Sequence, residues 1–311
     1  MKKFVIGMII ACGIVIGADT TISHALEPNS LANRMNGGFL WTTSNLTEND
    51  LKMGVNVSAL PEGPQAYEDI TKINISSACL PIVIEEADVE FVTVTDTTIV
   101  NNVPENTQNT INVSGGVLYF RDGVSNDKDF NNGIGFTQFM FNGTHKMGLE
   151  SGYVHIQVPY GTELDYSADI LSGSVLLDVV SKNVEINGAG IDDITIKQGG
   201  NKLEINSLGA DIEVGGAFNY VEVTGMGNDV YLVVDSDTKK VSLAGMGMSN
   251  YIEIEDSTAY NISIDGMGGS INDNYSGYKS NSAMQSVKYG NSGTNIEIAG
   301  MGISVTLDDW R

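Results

Sequence analysis

The sequence predicts an all-β fold: a β-solenoid of stacked coils of 18–21 residues, preceded by N-terminal strands. The first observation behind this is a repeat. Aligned on their glycines, VEINGAG at 184, LEINSLG at 203, VEVTGMG at 221, VSLAGMG at 241, ISIDGMG at 262 and IEIAGMG at 296 recur at spacings of 19, 18, 20, 21 and 34 residues. A period near twenty residues means supersecondary units that stack. The second is strict alternation: positions one and three of each copy are apolar, as in Val184 and Ile186 or Val241 and Leu243, and positions two and four are mostly polar. Alternation with period two puts one face of a strand inside and the other in water. The third is a further alternating run after the glycines, such as Ile194 and Ile196, Ile212 and Val214, Val230 and Leu232, and Ile252 and Ile254. Each coil is then two strands and two turns, stacked at about 4.8 Å.

Taken in chain order, residues 1–25 read as a secretory signal peptide. Lys2 and Lys3 precede an apolar run from Phe4 to Ala18, and Ser23 and Ala25 fit small-residue cleavage after Ala25. The run is shorter than the ~20 residues of a membrane span, so the mature chain is expected to have no transmembrane segment and to be extracytoplasmic, secreted or surface-associated. Lipidation of Cys12 is the competing reading of this segment. Residues 26–70 show neither period and read as an irregular N-terminal extension. Residues 71–160 read as N-terminal strands, first coils and a cap, through KINIS, PIVIEE, VEFVTVT, TINV, GVLYF and YVHIQV. Such strands cover an end whose edges would otherwise recruit other chains.

Residues 161–311 hold the repeat solenoid. Its Gly-x-Gly corners call for positive φ or close backbone approach, and the residue between the glycines forms a stripe: Ala189, Leu208, Met226, Met246, Met267 and Met301. Stacked unbranched side chains covering a corner account for it, and no Cys or His accompanies the sulfurs as a soft metal site would need. Glu185, Glu204 and Glu222 stand at equivalent outward positions. Asp192, Asp211 and Asp229 read as turn residues, because the period of nine that a calcium nonapeptide needs is absent. Trp310, in LDDWR, is expected to lie over the last open coil.

Charge narrows the partners. The chain is −23, and −24 once Lys2, Lys3 and Asp19 are removed with the signal, which excludes nucleic acid as a partner. Removal of the signal also leaves Cys79 as the single thiol, so no internal disulfide is available. Catalysis finds little support: His145 and His155 stand in no metal-ligand or triad spacing and G-x-S-x-G is missing. No cofactor and no metal are called for. One local exception to the acidic balance is an inserted loop, 273–295, in the 34-residue gap. From 274 to 295 it carries Lys279 and Lys288 and no acid. Tyr275, Tyr278, Lys279, Lys288 and Tyr289 are therefore the candidate binding residues, suited to sugar rings or an anionic partner.

GGVLYFRDG, followed by GYVHIQVPYGTELDYSADILSGSVLLDVV, resembles the exported bacterial family called putative adhesins or head GIN domains, over residues from about 72 to 311. The chain departs from that pattern with Gly-Met-Gly in place of Gly-Ser-Gly and with an extra residue before Asp229. The resemblance implies an extracytoplasmic β-solenoid with an adhesive role by name and no catalytic residues to carry over. The expected function is thus non-catalytic binding of a surface glycan or protein, with end-to-end or edge association open. The alternatives are a polysaccharide-acting enzyme using surface carboxylates, or a scaffold for a cell-envelope sensing system.

Overall fold

The computed structural model describes residues 53–58, 63–77, 80–104, 108–123, 148–256, 258–274, 276–277, 279–290 and 293–310. The signal peptide, Cys12, residues 26–52, Cys79 and His145 lie outside them. The described chain is all-β. In chain order it begins with β1 (Met53–Ser58), β2 (Gln65–Tyr67), β3 (Lys72–Ser77), β4 (Ile82–Ala87), β5 (Val92–Asp96), β6 (Ile99–Pro104), β7 (Gln108–Ser114), β8 (Val117–Arg121) and β9 (Gly148–Ser151). There follow β10 (Val154–Pro159), β11 (Leu164–Ile170), β12 (Gly173–Asp178), β13 (Ser181–Gly188), β14 (Ile191–Ile196), β15 (Gly200–Leu208), β16 (Asp211–Val214) and β17 (Phe218–Met226). The last are β18 (Asp229–Val234), β19 (Lys240–Met246), β20 (Ser249–Glu255), β21 (Tyr260–Asp273), β22 (Lys279–Gly290), β23 (Thr294–Met301) and β24 (Ser304–Trp310). Part of the segment read as irregular, 26–70, is therefore strand, in β1 and β2.

Two compact units result. One comprises Met1–Leu60, Thr97–Thr110 and Arg121–Gly152. In it β1 runs antiparallel to β6, and β6 antiparallel to β9. Asn109 ties this unit together from a buried position, donating to Thr98 Oγ1 at 2.9 Å and accepting from Gly123 N at 3.0 Å.

The other unit comprises Pro61–Asp96, Ile111–Phe120 and Tyr153–Arg311, and its strands form two parallel ladders. The first runs β3, β11, β13, β15, β17, β19, β23, β21. The second runs β4, β12, β14, β16, β18, β20, β24 and the end of β21. Register carries the core. Ile73, Tyr166, Val184, Leu203, Val221, Val241, Ile296 and Ile262 follow one another directly across the first ladder, and all are buried. Each such aliphatic side chain contributes roughly 1.5–3 kcal/mol when fully buried.

Along both ladders the strands do not stack in chain order at the C-terminal end. Strands β23 and β24 sit between β19 and β20 on one side and β21 on the other. The copy at 296 therefore lies next to the copy at 241, and the copy at 262 lies beyond it. The strand that carries Trp310, β24, lies between β20 and β21 and pairs with β20 as far as Glu255↔Trp310. Beyond β21 comes β22, antiparallel to it from Asn261↔Gly290 to Asn272↔Lys279. The stretch read as a loop is thus largely a strand. Its sequence, KSNSAMQSVKYG, has no apolar alternation because a strand held by backbone pairing to one neighbour needs none.

The Gly-x-Gly corner splits into two requirements, seen at Gly245 and Gly247. A Cβ on Gly245 would overlap the carbonyl oxygen of Gly225 on the adjacent strand, whereas Gly247 has open space but a φ of 62°. Close approach is the constraint at the first glycine and left-handed backbone at the second.

Candidate functional site

Outward residues of the second ladder line an open channel on the described surface. Asp193, Asp211 and Asp229 stand in register on β14, β16 and β18. Two residues further along the same strands, Thr195, Glu213, Tyr231 and Tyr251 form a second row. Side chains two apart on a strand are about 6.6–6.8 Å apart, so the rows bound a channel running across the strands. Its floor includes Ile212 and Val230, and its volume is about 450 Å³.

Tyr231 and Tyr251 give this channel a rigid aromatic wall. Their rings stack with centroids 5.8 Å apart and planes 10° from parallel. Each phenol is anchored to a carboxylate: Tyr231 donates to Glu253 at 2.7 Å, and Tyr251 to Asp308 at 3.2 Å. Desolvation, with the Glu253 hydrogen bond and charge adding to it, pushes the Tyr231 phenol up to about 12, and the Tyr251 phenol is raised for like reasons. Both rings therefore stay neutral and oriented across the ordinary pH range. Because Tyr251 covers one face of Tyr231, the other face is turned toward the strand carrying Glu213.

The sequence-predicted residues fall elsewhere. Tyr275 and Tyr278 lie outside the described residues. Lys279 is exposed at the start of β22, opposite Asn272 in the part of β21 that joins the second ladder. Lys288 and Tyr289 stand opposite Ser263 and Ile262, in the part that joins the first. The fold does not gather these three into one site. Asp192, Asp211 and Asp229 lie in strands, not in turns, with Asp211 and Asp229 opening β16 and β18.

Other candidates resolve into local pairing. Glu185, Glu204 and Glu222 do lie in one row, where Glu204 is only 5% exposed and Lys202 Nζ is 3.0 Å from its carboxylate. His155 Nε2 is 2.9 Å from Glu85 Oε1. In space the methionine stripe runs Leu208, Met226, Met246, Met301, Met267, with Met246, Met301 and Met267 exposed by 38, 49 and 50%. Among the described residues no group of His, Cys, Asp and Glu is arranged to hold a metal ion, and no helix is long and apolar enough to cross a membrane.

Sequence reasoning missed Tyr231 and Tyr251. The signal was present: DVYLVV and NYIEIE place a tyrosine at the same outward position, twenty residues apart. What the linear chain hides is that these positions touch.

No family model matches the chain, and no curated protein matches it. Among solved structures, it is similar to a putative adhesin from Bacteroides fragilis at 12% identity, covering 83% of this chain and all of that one, with a TM-score of 0.40. A putative cell adhesion protein from Clostridium sporogenes, also at 12%, covers 83% of this chain and all of its own with a TM-score of 0.32. A putative lipid binding protein from Parabacteroides distasonis, at 13%, covers 81% of this chain and 98% of its own with a TM-score of 0.30. At such scores none of these likenesses carries an argument about this chain.

Proposed function

We propose that the two ladders are the faces of an exported, non-catalytic β-solenoid that binds a surface glycan or protein through the channel beside Tyr231 and Tyr251. The observation that carries this reading is the pairing of a pre-oriented aromatic wall with a polar trough on one rigid sheet face. Aromatic rings fixed at both ends lose little freedom on binding, and a site on strands is more precisely held than one on loops. None of the residues lining the channel is Lys, Arg or His, so anionic polymers are disfavoured.

The polysaccharide-acting enzyme remains the second reading, since Asp211, Glu213 and Asp229 face the same channel and glycosidases work with paired carboxylates. One experiment separates the two. The mature chain is applied to an array of glycans and proteins, alongside Tyr231→Ala with Tyr251→Ala and a form lacking residues 275–292. Capture that the double substitution removes and the deletion spares is the expected outcome. Capture lost only with 275–292 moves the contact to Lys279, Lys288 and Tyr289, and shortening of a captured glycan would make the protein an enzyme.

A further inference from the structure

We infer that the methionine row on the first ladder is a binding site for a soft monovalent metal cation, copper(I) or its chemical analogue silver(I), held by thioether sulfur. The row stands apart from the channel beside Tyr231, and its occupancy does not depend on what that channel binds. Pairing sets Met226 of β17, Met246 of β19, Met301 of β23, Met267 of β21 and Met284 of β22 opposite one another, strand after strand. Met284 is the decisive member. It belongs to no Gly-Met-Gly copy, its neighbours being Ala283 and Gln285, and its strand runs the opposite way, yet it stands opposite Met267 and extends the row. Repetition of the corner motif does not account for that placement.

Packing does not account for the row either. Met246, Met301 and Met267 are exposed by 38, 49 and 50%, whereas Met248, off the row, is 1% exposed. Leu208 heads the same line opposite Met226, so the corner accepts a hydrocarbon of similar size, and burial alone would not distinguish the two. What methionine adds at an exposed position is an accessible, polarizable sulfur.

The surroundings suit a soft ion and not a hard one. Gly247 and Gly268, beside Met246 and Met267, have open space around them, so an ion reaches the sulfurs unobstructed. Two residues before the methionines of β17, β19, β23 and β21 stand Thr224, Ala244, Ala299 and Asp265, and one carboxylate does not supply the oxygen cage of calcium or magnesium. Zinc and copper(II) call for thiolate, imidazole or carboxylate ligands, whereas thioethers select copper(I). The missing Cys and His, which the sequence offers as a reason against a soft metal, therefore disfavour the divalent ions and leave the monovalent one. Spacing permits it. Neighbouring strands lie about 4.7–4.9 Å apart, and an ion with metal–sulfur bonds of about 2.3 Å, the length found for zinc, spans sulfurs about 4.6 Å apart. Adjacent unbranched side chains bracket such an ion with little displacement.

Competition of the mature chain against a chromophoric copper(I) chelator, under ascorbate and without oxygen, tests this. Copper(I) should bind saturably. Replacing Met246, Met301, Met267 and Met284 together by Leu should weaken binding about tenfold or more, while Met248→Leu changes it less than about twofold. Because a thioether has no proton to lose, the affinity should also change less than about twofold between about pH 7.5 and about pH 5. The thiol of Cys79 is the competing ligand, so each measurement is repeated with Cys79→Ser, in which binding should persist. Silver(I) should displace copper(I), and zinc(II) at equal concentration should not. Thermal melts confirm that the variants are folded. No saturable binding, loss of binding with Cys79→Ser, equal affinity in the leucine variant, displacement by zinc(II), or an affinity that falls with pH would each overturn the inference.

Discussion

The phenol of Tyr260 donates a 2.7 Å hydrogen bond to the buried carboxylate of Asp273, although the two residues are the first and last of a single strand. Thirteen residue steps of extended chain would separate them by about 43 Å. They meet because β21 turns a corner at Gly266 and Gly268, giving its first half to one ladder and its second half to the other. Asp273 also accepts from Ser276 N at 2.9 Å, so one buried carboxylate joins the two ends of β21 and begins the turn into β22.

Removing that closure should cost stability. Tyr260→Phe is expected to lose roughly 1.5–3 kcal/mol, the range for a hydrogen bond to a charged group. Asp273→Ala should lose more, because it leaves the phenol and the Ser276 amide without their acceptor. Urea unfolding of the three proteins ranks them. An Asp273→Ala form as stable as Tyr260→Phe would mean that the phenol contact is the whole of the effect.

The inward and outward faces of β17 should respond oppositely. Val223 is fully buried between Ile205 and Leu243, and a carboxylate at that position has no partner, so Val223→Asp should destabilise by several kcal/mol. Glu222→Lys, one residue away on the exposed face and next to Glu204, should be neutral or stabilising. Thermal melts showing comparable losses would contradict the burial pattern.

Asn228 is the extra residue before Asp229, and from a buried position it bridges to the segment Ser207–Ala210. Its side chain donates to Ser207 Oγ at 3.0 Å and accepts from Ala210 N at 3.0 Å. Asn228→Leu leaves both partners buried without it and should cost about 1–3 kcal/mol. Asp229→Asn, exposed at the neighbouring position, should change stability by less than about 0.5 kcal/mol.

Alkaline pH should probe the aromatic wall. The folded-state phenol of Tyr231 lies near 12, above the ordinary value of 10.0. Its protonated form is therefore the one the fold favours. Its stabilising contribution is complete below about pH 10 and is lost as the pH rises from there through 12. Ultraviolet titration should show a late-ionising tyrosine that disappears in Tyr231→Phe and moves back toward 10 in Glu253→Gln. The return is partial, because desolvation is the larger cause.

Deleting 275–292 should leave the ladders standing. The break is short to close, since Asp273 touches Tyr260 and Tyr260 is paired with Thr294. The deletion removes β22 and bares the β21 edge, so a concentration-dependent shift toward dimers in sedimentation is the expected result. Loss of the β-sheet dichroism would show instead that β22 is needed to fold the strands beneath it.

By itself the sequence determined the all-β character, the inward rows and the glycine corners, because each follows from local chemistry. Val223 and Glu222 differ in polarity with period two, and Gly247 needs a φ that only a residue without Cβ adopts cheaply. It could not determine which repeat neighbours which. Strands in a ladder are joined by backbone hydrogen bonds that are blind to side chains, and the copies at 262 and 296 offer nearly the same apolar face to the copy at 241. The tertiary structure alone placed 296 there and sent 262 outward, turned a polar stretch into the strand β22, and brought Asp211, Glu213, Tyr231 and Tyr251 to one channel. Residues about twenty apart become neighbours only when their strands pair across a ladder, and that pairing is a property of the assembled sheet, not of any segment within it.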